Sequence, residues 1–225
     1  MIEVYLARSL DCVADRDASC LNPAEKARHS AFHRAADAAD FLAGRRLVRQ
    51  RLSHLHGLAP ERVPLEIDPQ GRPCCLLPES PAFSISHAGG FVAVGWNAPG
   101  KGPVGVDIQP LDTSMDAALE PHYLSLFEQQ QLSPGPDAAR ARERLHYFVL
   151  KEAILKCHGT GFRVPPESIT LQRKDDKHWT CTDGTARGLH ATLHFLASPT
   201  TQQPLLAAVA CIPTNPTTEV NFHVL

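Results

Sequence analysis

Apolar residues recur at helical spacing most clearly at Leu145, Phe148 and Val149, and the same stripe continues through Glu152 and Lys156. Residues 148–157 are good helix formers, and Gly159 and Gly161 stop the helix where a left-handed cap is expected. A carboxylate and an ammonium therefore lie in line with an apolar seam. A buried charge is costly unless it is paired or holds a metal. Two readings of the helix stand side by side: a Glu152–Lys156 ion pair one turn apart, or a carboxylate that serves a cation.

A short alternating run, Val104–Gln109, predicts a strand with Val104, Val106 and Ile108 on one face and Gly105, Asp107 and Gln109 on the other. Asp107 is the acidic residue of an otherwise apolar strand. Facing Glu152, it would repel it unless a divalent cation lay between them; Mg²⁺ is held by one or two carboxylates together with substrate phosphate oxygens. Elsewhere, residues 2–10 alternate weakly as a strand, Pro23 opens a helical stretch that ends at Gly57, and residues 65–77 read as two extended pieces around a turn at Gly71. Residues 82–97 read as two strands around Gly89-Gly90, residues 117–132 as a helical run closed by the breaker at 133–136, and the runs after Ile169 as further strands. The turn at 99–103 marks a boundary between residues 1–102 and 103–225. The order of elements, helix stop at His-Gly, proline-bearing loop, then strand, recurs loosely in both parts, at an identity too low to establish a repeat.

Composition narrows the classes without naming one. The chain has 225 residues, 43% hydrophobic and 20% charged, with a net charge of −2, which gives no support for nucleic acid as a partner. The opening residues lack a basic region followed by a long apolar core, and no run approaches the ~18 apolar residues of a membrane span, so no membrane is expected and a cytoplasmic location is. Seven cysteines without a CxxC pair point to reduced thiols rather than disulfides or a zinc ribbon. Lys26, Arg28, Arg45, Arg46, Arg49 and Arg51 make the first helical stretch the most basic segment of the chain, which by itself reads as a solvated helix face.

Gly105-Val106-Asp107-Ile108-Gln109, followed roughly forty residues later by a helix carrying Phe148, Lys151-Glu152-Ala153, Lys156, Gly159 and Gly161, resembles the signature of the 4′-phosphopantetheinyl transferases, specifically their long single-chain type. Ser84-Ile85-Ser86-His87 resembles that family's first motif, and Gly71-Arg72-Pro73 its Gly-Lys-Pro turn. The resemblance implies an α+β fold of two similar lobes, a pseudo-repeat with the active site and coenzyme A in the cleft between them, and an enzyme that moves 4′-phosphopantetheine from coenzyme A to a serine hydroxyl of an acyl or peptidyl carrier protein in fatty acid, polyketide or nonribosomal peptide biosynthesis. It implies Mg²⁺ held by Asp107, Gln109 and Glu152, with Glu152, or a water it orients, taking the serine proton and Lys156 offsetting phosphoryl charge. It also implies that Arg28, Arg45, Arg49, Arg72, Ser86, His87, Lys151 and Lys156 contact coenzyme A. For Arg72 a plain hairpin turn and for His87 a satisfied strand-end residue remain the structural readings.

The resemblance further implies that residues 112–142 line the carrier's approach, with Leu124 and Phe127 either contacting a carrier helix or packing in the core. A monomer is expected. Gln109 departs from the pattern, since many relatives carry a third acidic residue there. That departure motivates a rival reading, a non-catalytic carrier-binding protein of the same fold; a Mg²⁺-dependent enzyme acting on another nucleotide diphosphate is a more distant one.

Overall fold

A computed structural model describes residues 1–12, 18–69, 71–134, 137–197, 204–212 and 218–225, with Phe162 described by its backbone alone. The chain opens with β1 (Ile2–Arg8), α1 (Ser9–Cys12), α2 (Pro23–Ser30) and α3 (Ala35–His56), then β2 (Leu65–Ile67), β3 (Pro73–Cys75), β4 (Ala82–Ala88) and β5 (Phe91–Asn97). After the turn come β6 (Val104–Pro110), α4 (Glu120–Tyr123), α5 (Leu126–Gln131) and α6 (Asp137–His158). The remaining strands are β7 (Thr170–Arg173), β8 (His178–Asp183), β9 (His190–Leu196), β10 (Leu205–Cys211) and β11 (Val220–Val224).

Alternation in these strands builds two sheets with the orders β11-β1-β5-β4 and β6-β10-β9-β8-β7, and β2-β3 forms a separate hairpin. Ile2, Val4, Leu6, Phe91 and Ala93 of the first sheet bury against Val104, Val106, Ile108, Leu205, Ala207 and Val209 of the second. The outer face of the first sheet is covered by α3, which packs Leu42, Val48 and Leu52 near Val92, Val94 and Trp96. The outer face of the second is covered by α6, through Leu150, Ala153, Ile154 and Cys157. Each fully buried aliphatic side chain contributes about 1.5–3 kcal/mol, so these seams hold the two halves as one body. The fold is α+β with two similar halves, each a helix of 22 residues laid on a sheet and stopped by a glycine at positive φ, Gly57 at 65° and Gly159 at 91°.

Three local departures from the sequence pattern have physical causes. The helical stretch from Pro23 splits at residues 31–34, because Glu25 turns back onto α3 to meet Arg49 Nε at 2.8 Å and Arg45 at 3.4 Å. In one straight helix those partners would lie roughly 30 Å or more away. The run at 117–132 likewise divides, since Ser125 and Glu128 form a capping box that restarts the chain as α5; positions 135 and 136 of the breaker lie outside the described residues. Residues 220–224, within the part assigned by sequence to the second lobe and not read there as a strand, form β11 and pair in parallel with β1, Ile2 opposite Val220.

Where β4 meets β6 the sheets join edge to edge without a backbone ladder. Ser84 Oγ accepts the Val106 N–H at 3.1 Å and Ser86 Oγ accepts the Ile108 N–H at 3.3 Å. The turn at 98–102 is pinned by Asn97, whose side-chain amide donates to the carbonyls of Lys101 and Gly102, both at 3.0 Å. No helix among the described residues is long and apolar enough to cross a membrane.

Candidate functional site

Gly105 lets α6 lie directly on β6. A Cβ there would stand 1.9 Å from the Ala153 carbonyl oxygen and 2.6 Å from the Cys157 nitrogen, so any larger residue would force the helix away. Two residues along the same strand face, Asp107 is brought under the flank of α6 with only 3% of its surface exposed. Lys156 Nζ donates to Asp107 Oδ1 at 2.7 Å and to the Val106 carbonyl at 3.2 Å, and Ser86 Oγ–H donates to the same Oδ1 at 2.7 Å. Asp107 Oδ2 is buried and meets no hydrogen-bond donor among the described residues.

Lys156 thus turns to the strand, and the Glu152–Lys156 ion pair is not formed. Glu152, one turn earlier on α6, makes no ion pair or hydrogen bond among the described residues. Burial pushes its carboxyl up to about 7; the nearby Lys156 charge opposes that rise and the Asp107 charge adds to it. The site therefore offers one orphaned carboxylate oxygen, one carboxyl poised to ionise near neutrality, and the Gln109 amide two residues beyond Asp107 on the same strand face. This all-oxygen donor set fits a hard divalent cation such as Mg²⁺. Among the described residues no group of three His, Cys, Asp or Glu side chains is placed to hold a metal. Two carboxylates and an amide leave coordination positions for substrate oxygens.

Beside this centre lies a cavity of about 300 Å³ whose wall carries Arg28, Arg45, Arg72, His87 and Lys156. Arg28 and Arg45 stack over Phe41 at 5.4 and 5.5 Å. Arg72 is held by Asp68, which takes its backbone N–H and its Nε–H at 2.8 Å each, and its Nη1 reaches the Cys157 carbonyl at 3.3 Å. Gly159 makes room for that guanidinium, as a Cβ would come within 2.7 Å of Arg72 Cζ. His87 lies 3.5 Å from Asp40 with its side chain half exposed. Five cationic or ionisable donors thus face one hollow, a setting that suits a polyanionic ligand. A larger hollow of about 520 Å³ behind Arg72 and Phe83 touches neither His87 nor Lys156, whereas both line the smaller one, and Lys156 ties that smaller hollow to Asp107.

Three residues expected at coenzyme A stand elsewhere. Arg49 is fully buried and ties Glu25 to the carbonyls of Pro60 and Val63. Lys151 points into the second half, donating to the Pro166 and Ile169 carbonyls at 2.9 and 2.8 Å and pairing with buried Glu128 at 2.5 Å. Its amine is pulled below the usual lysine range by burial, which the Glu128 charge opposes. Ser86 sits at the sheet seam with 4% exposure. Leu124 is core, whereas Phe127 is 47% exposed. Asp40 and Asp68, which brace His87 and Arg72, were not singled out by sequence; Asp68 carries the signal of an Asp-Pro turn four residues before its arginine, and Asp40 carries none.

The family described as "4′-phosphopantetheinyl transferase superfamily" matches residues 103–210, and that described as "4′-phosphopantetheinyl transferase, N-terminal" matches residues 13–97. A 4′-phosphopantetheinyl transferase of Bacillus pumilus is 28% identical, over 68% of this chain and 64% of its own length. One from Bacillus subtilis is 25% identical, over 78% of this chain and 77% of its own length. An L-aminoadipate-semialdehyde dehydrogenase-phosphopantetheinyl transferase of Xenopus laevis is 28% identical, over 64% of this chain and 51% of its own.

Proposed function

Because the chain belongs to the 4′-phosphopantetheinyl transferase superfamily, we propose that it transfers 4′-phosphopantetheine from coenzyme A to a serine hydroxyl of an acyl or peptidyl carrier protein, releasing adenosine 3′,5′-bisphosphate. The observation that carries this reading is the open Asp107 Oδ2 near a Glu152 carboxyl set near 7, joined through Lys156, which bonds Asp107, to a cavity walled by cations.

Arg28, Arg45, Arg72 and His87 hold the nucleotide phosphates, and arginine forks suit that task because each can grip a phosphate with two hydrogen bonds. Asp107, Glu152 and Gln109 hold Mg²⁺, which when bound neutralises pyrophosphate charge and makes the phosphorus a better electrophile. Glu152, whose carboxyl titrates near neutrality, takes the serine proton in its ionised form, directly or through a water it orients. The serine oxygen forms a bond to the pantetheine-side phosphorus, and the bond from that phosphorus to the bridging oxygen breaks, with the electron pair leaving on the nucleotide. Lys156, already bonded to Asp107, exchanges that carboxylate for an oxygen of the departing phosphate. This reading places the chain, as a monomer, in the cytoplasm.

The test is incubation with coenzyme A, Mg²⁺ and a panel of apo carriers, followed by weighing the carriers. A gain of one phosphopantetheine group supports the reading. Binding of carriers without any mass gain favours a carrier-binding protein instead, and neither binding nor gain with any carrier overturns both.

A further inference from the structure

The Ser86 hydroxyl sits with one hand on each half of the molecule. It has one hydrogen to donate, and a carboxylate can only accept, so the 2.7 Å contact fixes that hydrogen on Asp107 Oδ1; a lone pair then takes the Ile108 N–H at 3.3 Å. Ser84, two residues earlier on β4, takes the Val106 N–H in the same way yet does not touch the carboxylate. The seam between the sheets therefore accounts for the backbone contact of both serines, and only Ser86 carries the further bond to Asp107. At 4% exposure Ser86 presents little surface to a nucleotide. Its bond locks the carboxylate so that Oδ1 is engaged and Oδ2 stays open. When Lys156 leaves Oδ1 for a phosphate, Ser86 is the remaining side chain holding it.

Building on the metal site proposed above, we propose that Ser86 is a positioning residue for the cation: it orients Asp107 across the junction of the two sheets so that Oδ2 faces the metal, and it is not a coenzyme A contact. The experiment is a Mn²⁺ titration of the full chain followed by electron paramagnetic resonance, with coenzyme A present and no carrier. It is run on the wild type, Asp107→Asn, Ser86→Ala, Ser86→Thr and Ser84→Ala, alongside coenzyme A affinity measured without metal. Ser86→Ala weakens Mn²⁺ binding about tenfold or more, the size of one lost charge-assisted hydrogen bond, with coenzyme A affinity in the absence of metal changed less than about twofold. Ser86→Thr, which keeps the hydroxyl, recovers Mn²⁺ affinity, and Ser84→Ala leaves it within about twofold of wild type because it removes a seam bond only. Should Ser86→Ala not fold, Ser86→Cys, close in size and a far weaker donor, takes its place and shows the same loss. Unchanged Mn²⁺ binding in Ser86→Ala while Asp107→Asn abolishes it overturns the inference and leaves the metal site standing. An equal loss in Ser84→Ala, or a loss confined to coenzyme A, overturns it too. Wild-type Mn²⁺ binding in Asp107→Asn overturns the metal site itself.

Discussion

Replacing Glu152 with glutamine separates stability from activity at one position. The carboxyl titrates at about 7 in the folded chain against an ordinary 4.5, because burial disfavours its charge. Below the lower value both folded and unfolded chains hold the proton, and the group contributes nothing to the pH dependence. Between the two values the unfolded chain has released the proton while the folded chain keeps it, so folding stability falls as pH rises. Above 7 the full cost of the buried charge is present, at 1.36 kcal/mol per tenfold change in proton affinity about 3 kcal/mol as an upper bound. An isosteric amide removes that dependence. Thermal unfolding of the metal-free protein between pH 4.5 and 8 should therefore show the Glu152→Gln variant pulling ahead of the wild type as pH rises. The gain is about 2–4 °C for each kcal/mol in a chain of this size. The same variant should lose turnover by a factor of at least about 10², since it has neither charge for a metal nor basicity for a serine proton. A difference in melting temperature that does not grow with pH would refute the assigned burial, and near-wild-type turnover would refute the assigned role.

Three further outcomes follow from the site. His87→Ala should weaken coenzyme A more than dephospho-coenzyme A, by about 1.5–3 kcal/mol in a binding titration, if the ring grips the 3′-phosphate; equal losses would return His87 to supporting Asp40. Gln109→Glu adds a third anion on the Asp107 face of β6 and should lower the Mg²⁺ concentration for half-maximal rate while the enzyme stays active, and loss of activity with an unchanged Mg²⁺ requirement would show that Gln109 does not face the metal. Lys151→Met should strand buried Glu128 and cost about 3–5 kcal/mol in urea denaturation, yet leave the coenzyme A affinity of the folded protein unaltered; a selective loss of coenzyme A binding would place Lys151 back at the ligand.

The helix stripe, its glycine stop and the alternation of Val104–Gln109 were legible because each is a local regularity imposed by backbone geometry. From them alone Asp107 and Gly105 share a face, and that shared face is what sets Asp107 beneath α6. The roles of Arg49, Lys151 and Ser86 were not legible. A lysine in a motif helix reads the same whether it faces a phosphate or a buried glutamate 23 residues earlier, and only the packing of α5 decides in favour of Glu128. Ser86 shared a motif with His87, but strand alternation sends adjacent residues to opposite faces, so one reaches the cavity and the other the seam. The break at residues 31–34 has no proline or glycine to announce it; it exists because a distant ion pair rewards the chain for folding back.

The parallel pairing of β1 with β11 gives vectorial synthesis a late step. Strand β1 precedes β5 by about ninety residues and can find it early, but its other edge, Ile2–Leu6, has to wait for Val220–Val224. Throughout translation of the second sheet and its helix, that edge of unpaired backbone groups stays open to any strand that meets it, the situation in which nascent chains cross-pair. The sheet begun first is thus the last to be completed, and covering the outer edge of β1 is a closing step of folding.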